Sequence, residues 1–256
     1  MHNMLAIAHK ELRSYFVSPI AYVVVGFFAV LYGFFYVAGL NIMVRLSMQM
    51  GAMGMGQQTI NINEFMIRPL LGNTAVVLLF ALPFITMRTY AEEKRSGTIE
   101  LLLTSPITDL QIILGKFIGA VALFVLMLAV TLIHIGILFV YGNPELGPVL
   151  SGYLGLFLMG SSFIAVGLLF SSMTKNQIVA GMITFAVLLI FWVINWIADA
   201  GSSTTQTLLS YLSILVHFDD FSKGVIDTTH IAYYLSFITF SLFLTVKSVD
   251  SERWRG

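Results

Sequence analysis

Tyr90-Ala-Glu-Glu-Lys-Arg-Ser-Gly-Thr-Ile-Glu-Leu-Leu-Leu-Thr-Ser-Pro106 is a compact charged stretch between two long apolar runs, Leu71–Met87 and Ile112–Tyr141. Almost everything around it is hydrocarbon-like, so the stretch is either solvated or docked on something. Its flanks decide the fold. A helix rising about 1.5 Å per residue crosses ~30 Å of hydrocarbon with runs of this order of length. Four more runs follow the pattern: Ile20–Leu40, Leu150–Ser171, Ile178–Ala198 and Ile231–Val246. None carries Asp, Glu, Lys or Arg in its middle. In lipid, each segment must satisfy its own backbone N–H and C=O groups, so every run predicts a helix. All six are too long for barrel strands.

Composition agrees. Of 256 residues, 58% are hydrophobic and 10% charged, against roughly 25% charged in a soluble domain. Mean hydropathy is +0.90. No soluble fold hides that much apolar surface, so the solvent is lipid. The expected class is an all-α membrane protein, a single domain over residues 1–256 with six transmembrane helices. Net charge is zero and no basic tract is present, which argues against a nucleic-acid partner. The chain has no cysteine, which excludes disulfides, thiolate metal sites and cysteine nucleophiles. Ile20–Leu40 is too long for the apolar core of a signal peptide and reads as a retained first span.

Lys and Arg set the expected orientation. With the N-terminus inside, the inner segments hold Lys10, Arg13, Arg88, Lys94, Arg95, Lys116, Lys175, Lys247, Arg253 and Arg255. The outer segments hold only Arg45, Arg68 and Lys223. Both termini and the charged stretch are therefore expected in the cytoplasm.

Outside the spans, residues 3–17 place Leu5, Ala8, Leu12 and Phe16 on one helical face and His9, Lys10, Arg13 and Ser14 on the other. An amphipathic helix in the membrane interface is expected over residues 1–19, broken at Ser18-Pro19. A plain basic flank of the first span is the alternative. Two outer loops are long, 41–69 and 199–230. The second contains Leu208–Phe218, apolar but too short to span, and suits re-entrant or interfacial helices.

Within the charged stretch, Arg88 and Glu92 stand at i, i+4, so the second span continues as a helix. Gly97 breaks it. Thr98–Thr104 then predicts about two further turns, with Ile99, Leu102 and Leu103 on one face, halted by Ser105-Pro106. Thr108 and Gln111 form a capping box for the return helix. A connector needs only a few polar residues, whereas this one exposes Ile-Glu-Leu-Leu-Leu just outside the bilayer. Such a patch needs lipid or a protein groove to cover it. A solvated connector and a docking element both stand on these grounds.

The stretch from Ile85 through Gly97-Thr-Ile-Glu-Leu-Leu-Leu-Thr-Ser-Pro106 to Lys116 resembles the signature loop of ABC-2 type transporter permeases. Lys10-Glu-Leu-Arg-Ser-Tyr-Phe16, Gly152-Tyr-Leu-Gly-Leu-Phe-Leu158, Thr174-Lys-Asn-Gln-Ile-Val-Ala180 and His217-Phe-Asp-Asp-Phe-Ser-Lys-Gly-Val-Ile-Asp227 extend the likeness. They bring it closest to the permease subunit of gliding-motility-associated ABC transporters. The resemblance implies an exporter subunit that pairs with a second permease, as homo- or heterodimer, and with two cytoplasmic ABC ATPase subunits. It implies a cytoplasmic coupling loop over 88–111 with a coupling helix at Gly97–Thr104. Glu92, Glu93, Lys94, Arg95, Gly97, Thr98, Glu100 and Leu103 would contact the ATPase, with Lys175 in a second, smaller contact. An alternative is a mechanotransmitter that moves a periplasmic partner and passes no substrate.

What the chain lacks bears on the same question. Its one Gly-Lys pair, Gly115-Lys116, has Leu110 where the upstream glycine of a phosphate loop belongs and Phe117 where the hydroxyl belongs. ATP hydrolysis by that route is excluded. ATP and Mg would be bound by the partner ATPase, and no cofactor is expected in this chain. Ion-coupled carriers place ionisable groups inside the bilayer. Here the mid-span polar candidates are His134 and Asn195 only, and His134 is expected as a satisfied interhelical donor. Ser161, Ser162 and Ser171 recur with Gly155, Gly160 and Gly167, a pattern of close helix packing more than of catalysis. Met48, Met50, Met53 and Met55 could ligate Cu(I), but with no His or Cys beside them they read as a flexible apolar loop. The chain is expected to be a non-catalytic subunit without a metal.

Overall fold

The computed structural model describes residues 2–52, 61–100, 107–198 and 203–253. Every regular element among them is helical: α1 His2–Val17, α2 Pro19–Ala52, a π-helical turn Asn63–Ile67, α3 Arg68–Thr86, α4 Ala91–Ser96, α5 Asp109–Tyr141, α6 Leu146–Met173, α7 Gln177–Ala198, α8 Ser203–Leu212, α9 Ile214–Ser222 and α10 Thr228–Arg253. Six of these stretches are long and apolar enough to cross a membrane: α2, the π turn with α3 and α4, then α5, α6, α7 and α10. The expected all-α membrane architecture is what forms.

α6 is the axis of the bundle. In its most apolar window 78% of residues are buried, against 17% in α2 and in α10, so the latter two lie on the perimeter. Small residues let neighbours close on α6 from several sides. A Cβ on Gly160 would come within 2.3 Å of the Phe124 ring on α5, and one on Gly167 within 2.0 Å of Thr86 Oγ1 on α3. The glycines read from the sequence as packing residues are just that. Ser162 likewise donates to its own helix, at Met159 O, 2.6 Å.

Three local signals form, one of them without the helix it implied. Ser18 interrupts the helix and Pro19 opens α2. Arg88 pairs with Glu92 at 2.8 Å, but α3 ends at Thr86 and residues 87–90 turn before α4, so the span does not continue unbroken to Gly97. Thr108 and Gln111 form a reciprocal capping box at the start of α5.

Other elements depart from expectation. α2 continues to Ala52, 34 residues in all, about 50 Å and well beyond the ~30 Å of hydrocarbon. Arg45, Met48 and Met50 therefore ride on a helix, where a loop was expected; Met53 and Met55 lie outside the described residues. The segment before α3 is also ordered, as the π turn. In the 199–230 loop, two short helices, α8 and α9, form as expected, α8 against α7 and α9 against α6.

α1 forms over nearly the expected residues, but its buried face is Ile7, Ala8, Glu11 and Tyr15. Leu12 and Phe16 are half-buried and Leu5 is 57% exposed. The predicted stripe is thus rotated. The cause is docking on α5 at Gly115 and Gly119, where a Cβ would come within 2.7 Å of Ile7 Cβ and 2.8 Å of Glu11 Cβ respectively. Two glycines four residues apart admit a close crossing and set the Glu11 carboxylate over Lys116.

Candidate functional site

The charged segment after α3 is anchored to the bundle on three sides. The first anchor is Ser171, near the end of α6. Its hydroxyl accepts from Tyr90 N at 3.0 Å and Ala91 N at 3.2 Å, and donates to Met87 O at 3.0 Å. The first N–H groups of any helix lack intrahelical acceptors, so one serine satisfies two donors at the start of α4. Ser171 is wholly buried, and water cannot replace it.

The second anchor is Lys94. Its ammonium donates to Ser172 O and to the Glu252 carboxylate near the end of α10. Its side chain is 2% exposed. Ser248 Oγ reaches the same Ser172 carbonyl at 3.4 Å. α4 is thereby tied to α6 and α10 at once.

The third anchor is a buried ion cluster. Lys116 Nζ, on the first turns of α5, lies 2.6 Å from Glu11 Oε1 on α1 and 2.9 Å from Glu93 Oε2 on α4. It also donates to Thr89 O at 3.0 Å and sits 5.0 Å from the Tyr90 ring centre. Its side chain is 1% exposed. A buried charge is tolerated only when paired and hydrogen-bonded, and Lys116 has two carboxylates and a carbonyl as partners. Tyr15 of α1 adds a hydroxyl contact to Thr89 Oγ1 at 3.3 Å. Burial pushes the Tyr15 phenol far above its ordinary pKa, so it stays neutral. Arg88 joins the junction from the other side, donating to Ser18 Oγ at 3.0 Å while holding Glu92.

The outward side of the segment is different. Glu92, Arg95, Ser96, Gly97, Thr98 and Glu100 are exposed. Gly97 has φ of +73°, the left-handed end of α4 that favours glycine. Ser96 Oγ and Thr98 Oγ1 stand 2.9 Å apart across it. Lys175 is exposed in the turn between α6 and α7, at the end of the bundle that Ser171 and Ser172 share with α4.

The predicted site residues therefore divide. Glu92, Arg95, Gly97, Thr98, Glu100 and Lys175 present a surface at one end. Glu93 and Lys94 turn into the bundle and are occupied there. Ile99, expected in an exposed apolar patch, is buried. Leu102, Leu103 and the rest of the patch lie outside the described residues. Glu11, Lys116, Ser171 and Glu252 were not among the predicted site residues. Lys116 carried the one available signal, a cation a turn inside an apolar run, which requires a counter-ion.

Elsewhere, His134 departs from expectation. It packs edge-on against Tyr32 and Tyr36, at 5.3 and 5.1 Å between ring centres. Its Nδ1 has no hydrogen-bond partner among the described residues. Asn195 lines a cleft of about 900 Å³ at the far end from α4, with Glu64, Arg68, Asp219 and Lys223. No metal-binding group of three or more His, Asp or Glu occurs among the described residues.

A family model described as "ABC-2 family transporter protein" matches residues 5–247. The chain is also similar to the "Probable multidrug ABC transporter permease YbhR" of Escherichia coli strain K12, 28% identical over 153 residues, which is 59% of this chain and 41% of that protein. The protein of the same name from Escherichia coli O157:H7 matches to the same extent. The chain thus spans about two fifths of the length of the curated relatives it matches.

Proposed function

The chain belongs to the ABC-2 family of transporter proteins, and from that premise we propose that it forms half of the membrane domain of an ATP-driven exporter. Work enters through residues 88–111 from a separate cytoplasmic ABC ATPase, which binds the ATP and Mg. One observation carries the proposal. α4 and the residues just after it present Glu92, Arg95, Gly97, Thr98 and Glu100 outward, while Ser171, Lys94 and Lys116 fix the inner side of α4 to α6, α10, α5 and α1. A displacement imposed on the outward side moves four helices together. A freely solvated connector would have no use for three buried anchors.

In this proposal the α4 end and both termini are cytoplasmic, and the membrane is a bacterial inner membrane. Residues 1–19 lie in its cytoplasmic interface, and 199–230 form the outer loop before the last span. Lys175 supplies a second, smaller ATPase contact. A second permease, the same chain or another, covers the exposed flanks of α2 or α10. The relatives' name mentions multiple drugs; the apolar spans here suit an amphiphilic cargo better than a small ion.

The length of α2 favours a second role. Its surplus beyond the hydrocarbon would project outward and could move a periplasmic partner with no cargo passed, a mechanotransmitter.

The test is purification of the full-length chain in mild detergent with identification of what accompanies it, together with transport by Glu100→Lys. An ATPase and a second permease in the wild-type sample, with loss of both ATPase and transport in Glu100→Lys, are expected. A wild-type sample free of any ATPase, with transport intact in the variant, overturns the proposal.

A further inference from the structure

The cap formed by α8 and α9 is joined to the start of α10 by an unbroken chain of hydrogen bonds. His217 Nε2 lies 2.9 Å from Tyr211 O, the two Nδ1 atoms of His217 and His230 lie 2.7 Å apart, and His230 Nε2 lies 2.9 Å from Asp220 Oδ2. His217 is 3% exposed, stacked on Tyr233 at 3.9 Å and edge-on to Tyr211 at 5.5 Å. The His230 side chain is 12% exposed.

Counting protons decides what this chain is. A carbonyl only accepts, and an ionised carboxylate only accepts. Each of the three contacts therefore needs a ring N–H. Two neutral imidazoles carry two between them. Whichever tautomers are chosen, one contact then sets a lone pair against a lone pair or against a carboxylate. The arrangement is complete only with a third proton.

We propose that His217 and His230 form a proton-binding site that latches α9 to α10, the latched state holding a third proton that the released state gives up.

The surroundings say where that proton sits. Burial lowers the affinity of His217 for a second proton, so His217 is the neutral partner, donating from Nε2 to Tyr211 O and accepting at Nδ1. His230 is the imidazolium, facing Asp220. The other charged groups near the chain come from every element around it. Asp219 pairs with Arg68 of α3 at 2.7 Å and with Lys223 at 2.6 Å, and Lys223 also reaches Asp220 at 3.5 Å. Those two cations and two carboxylates cancel. Asp227, in the turn before α10, has its carboxyl lowered by hydrogen bonds from Thr229 and by His230, and it stands as the anion that offsets the third proton. Glu64 lies across the same cleft. Closure binds a proton, so the latch tightens as pH falls and loosens as pH rises. Leu215, Val216 and Asp219 of α9 form one wall of the 900 Å³ cleft; release of α9 opens that wall. The inference does not depend on which partner drives transport.

The experiment uses the full-length protein in nanodiscs with ¹⁵N-labelled histidine, titrated from about pH 5.5 to about pH 8.5 to bracket imidazole ionisation. A nitrogen–nitrogen coupling between the two Nδ1 atoms is expected at the acid end and its loss at the alkaline end. Amide hydrogen exchange over 214–222, corrected for intrinsic rates, is expected to rise by at least about threefold over the same range as the segment opens locally. His230→Gln should remove that pH dependence, and Asp220→Asn should move its midpoint to lower pH. Independent titration of two uncoupled imidazoles in the wild-type protein, or exchange over 214–222 that ignores pH, overturns the inference without recourse to any variant.

Discussion

Lys116→Met removes the charge from the buried junction of α1, α4 and α5, and its cost follows from what is left behind. Lys116 holds Glu11 at 2.6 Å and Glu93 at 2.9 Å with 1% of its side chain exposed. Once it is gone, Glu93 retains Lys10 at 3.4 Å, but that lysine is 62% exposed and such a pair contributes about 0–1 kcal/mol. Glu11, with its side chain 10% exposed, has no other ion pair among the described residues. Stranding one partner of a buried pair costs about 3–5 kcal/mol, a large share of the roughly 5–15 kcal/mol that holds a typical protein folded. Neutralising Glu11 as well should return part of the loss. Glu11→Gln with Lys116→Met is therefore expected to be about 1–3 kcal/mol less destabilised than the two single changes summed. Equilibrium unfolding of the purified full-length chain in mixed detergent and SDS micelles measures all three variants. ATPase capture, assayed in parallel, should fall in Lys116→Met and recover in the double variant, because α4 regains a settled position. A loss below about 1 kcal/mol for Lys116→Met, or strict additivity in the double variant, refutes the view that this cluster positions α4.

Four further outcomes are expected. Gly97→Val forces a side chain into the left-handed region at about 1–2 kcal/mol and should weaken ATPase capture more than overall stability, as seen by pull-down beside SDS unfolding. Ser171→Ala strands two buried N–H donors of α4 at about 1–3 kcal/mol, and faster hydrogen exchange at Tyr90 and Ala91 checks it. Gly160→Ala drives a methyl into the Phe124 ring and should cost about 1–3 kcal/mol by overpacking; Phe124→Leu in the same chain should relieve part of it. Because the chain has no native cysteine, Arg95→Cys and Lys223→Cys can be labelled singly with an impermeant maleimide. Reaction of Lys223→Cys from outside intact cells, and of Arg95→Cys only after lysis, is expected; the reverse pattern inverts the proposed topology.

What the sequence disclosed and what it hid divide by separation along the chain. The spans were legible because lipid demands long apolar runs. Gly97, the Arg88–Glu92 pair and the Thr108–Gln111 box were legible because their partners lie within one helical turn, where spacing alone implies contact. The anchors of α4 were not. Lys116 and Glu11 are separated by 105 residues, Ser171 and Tyr90 by 81, Lys94 and Glu252 by 158. Over such distances a residue's type signals a need for a partner but not which one. Lys94 and Lys116, counted from the sequence toward orientation, are held inside the bundle, each by a carboxylate from another helix. The α1 face shows the same limit. Its periodicity correctly announced a helix, but Gly115 and Gly119 on α5 chose which side went inward, and that choice set Glu11 over Lys116. The surface left for a partner is consequently smaller than the charged stretch first implied. It is the exposed set Glu92, Arg95, Gly97, Thr98 and Glu100, of which Glu92 is itself paired with Arg88.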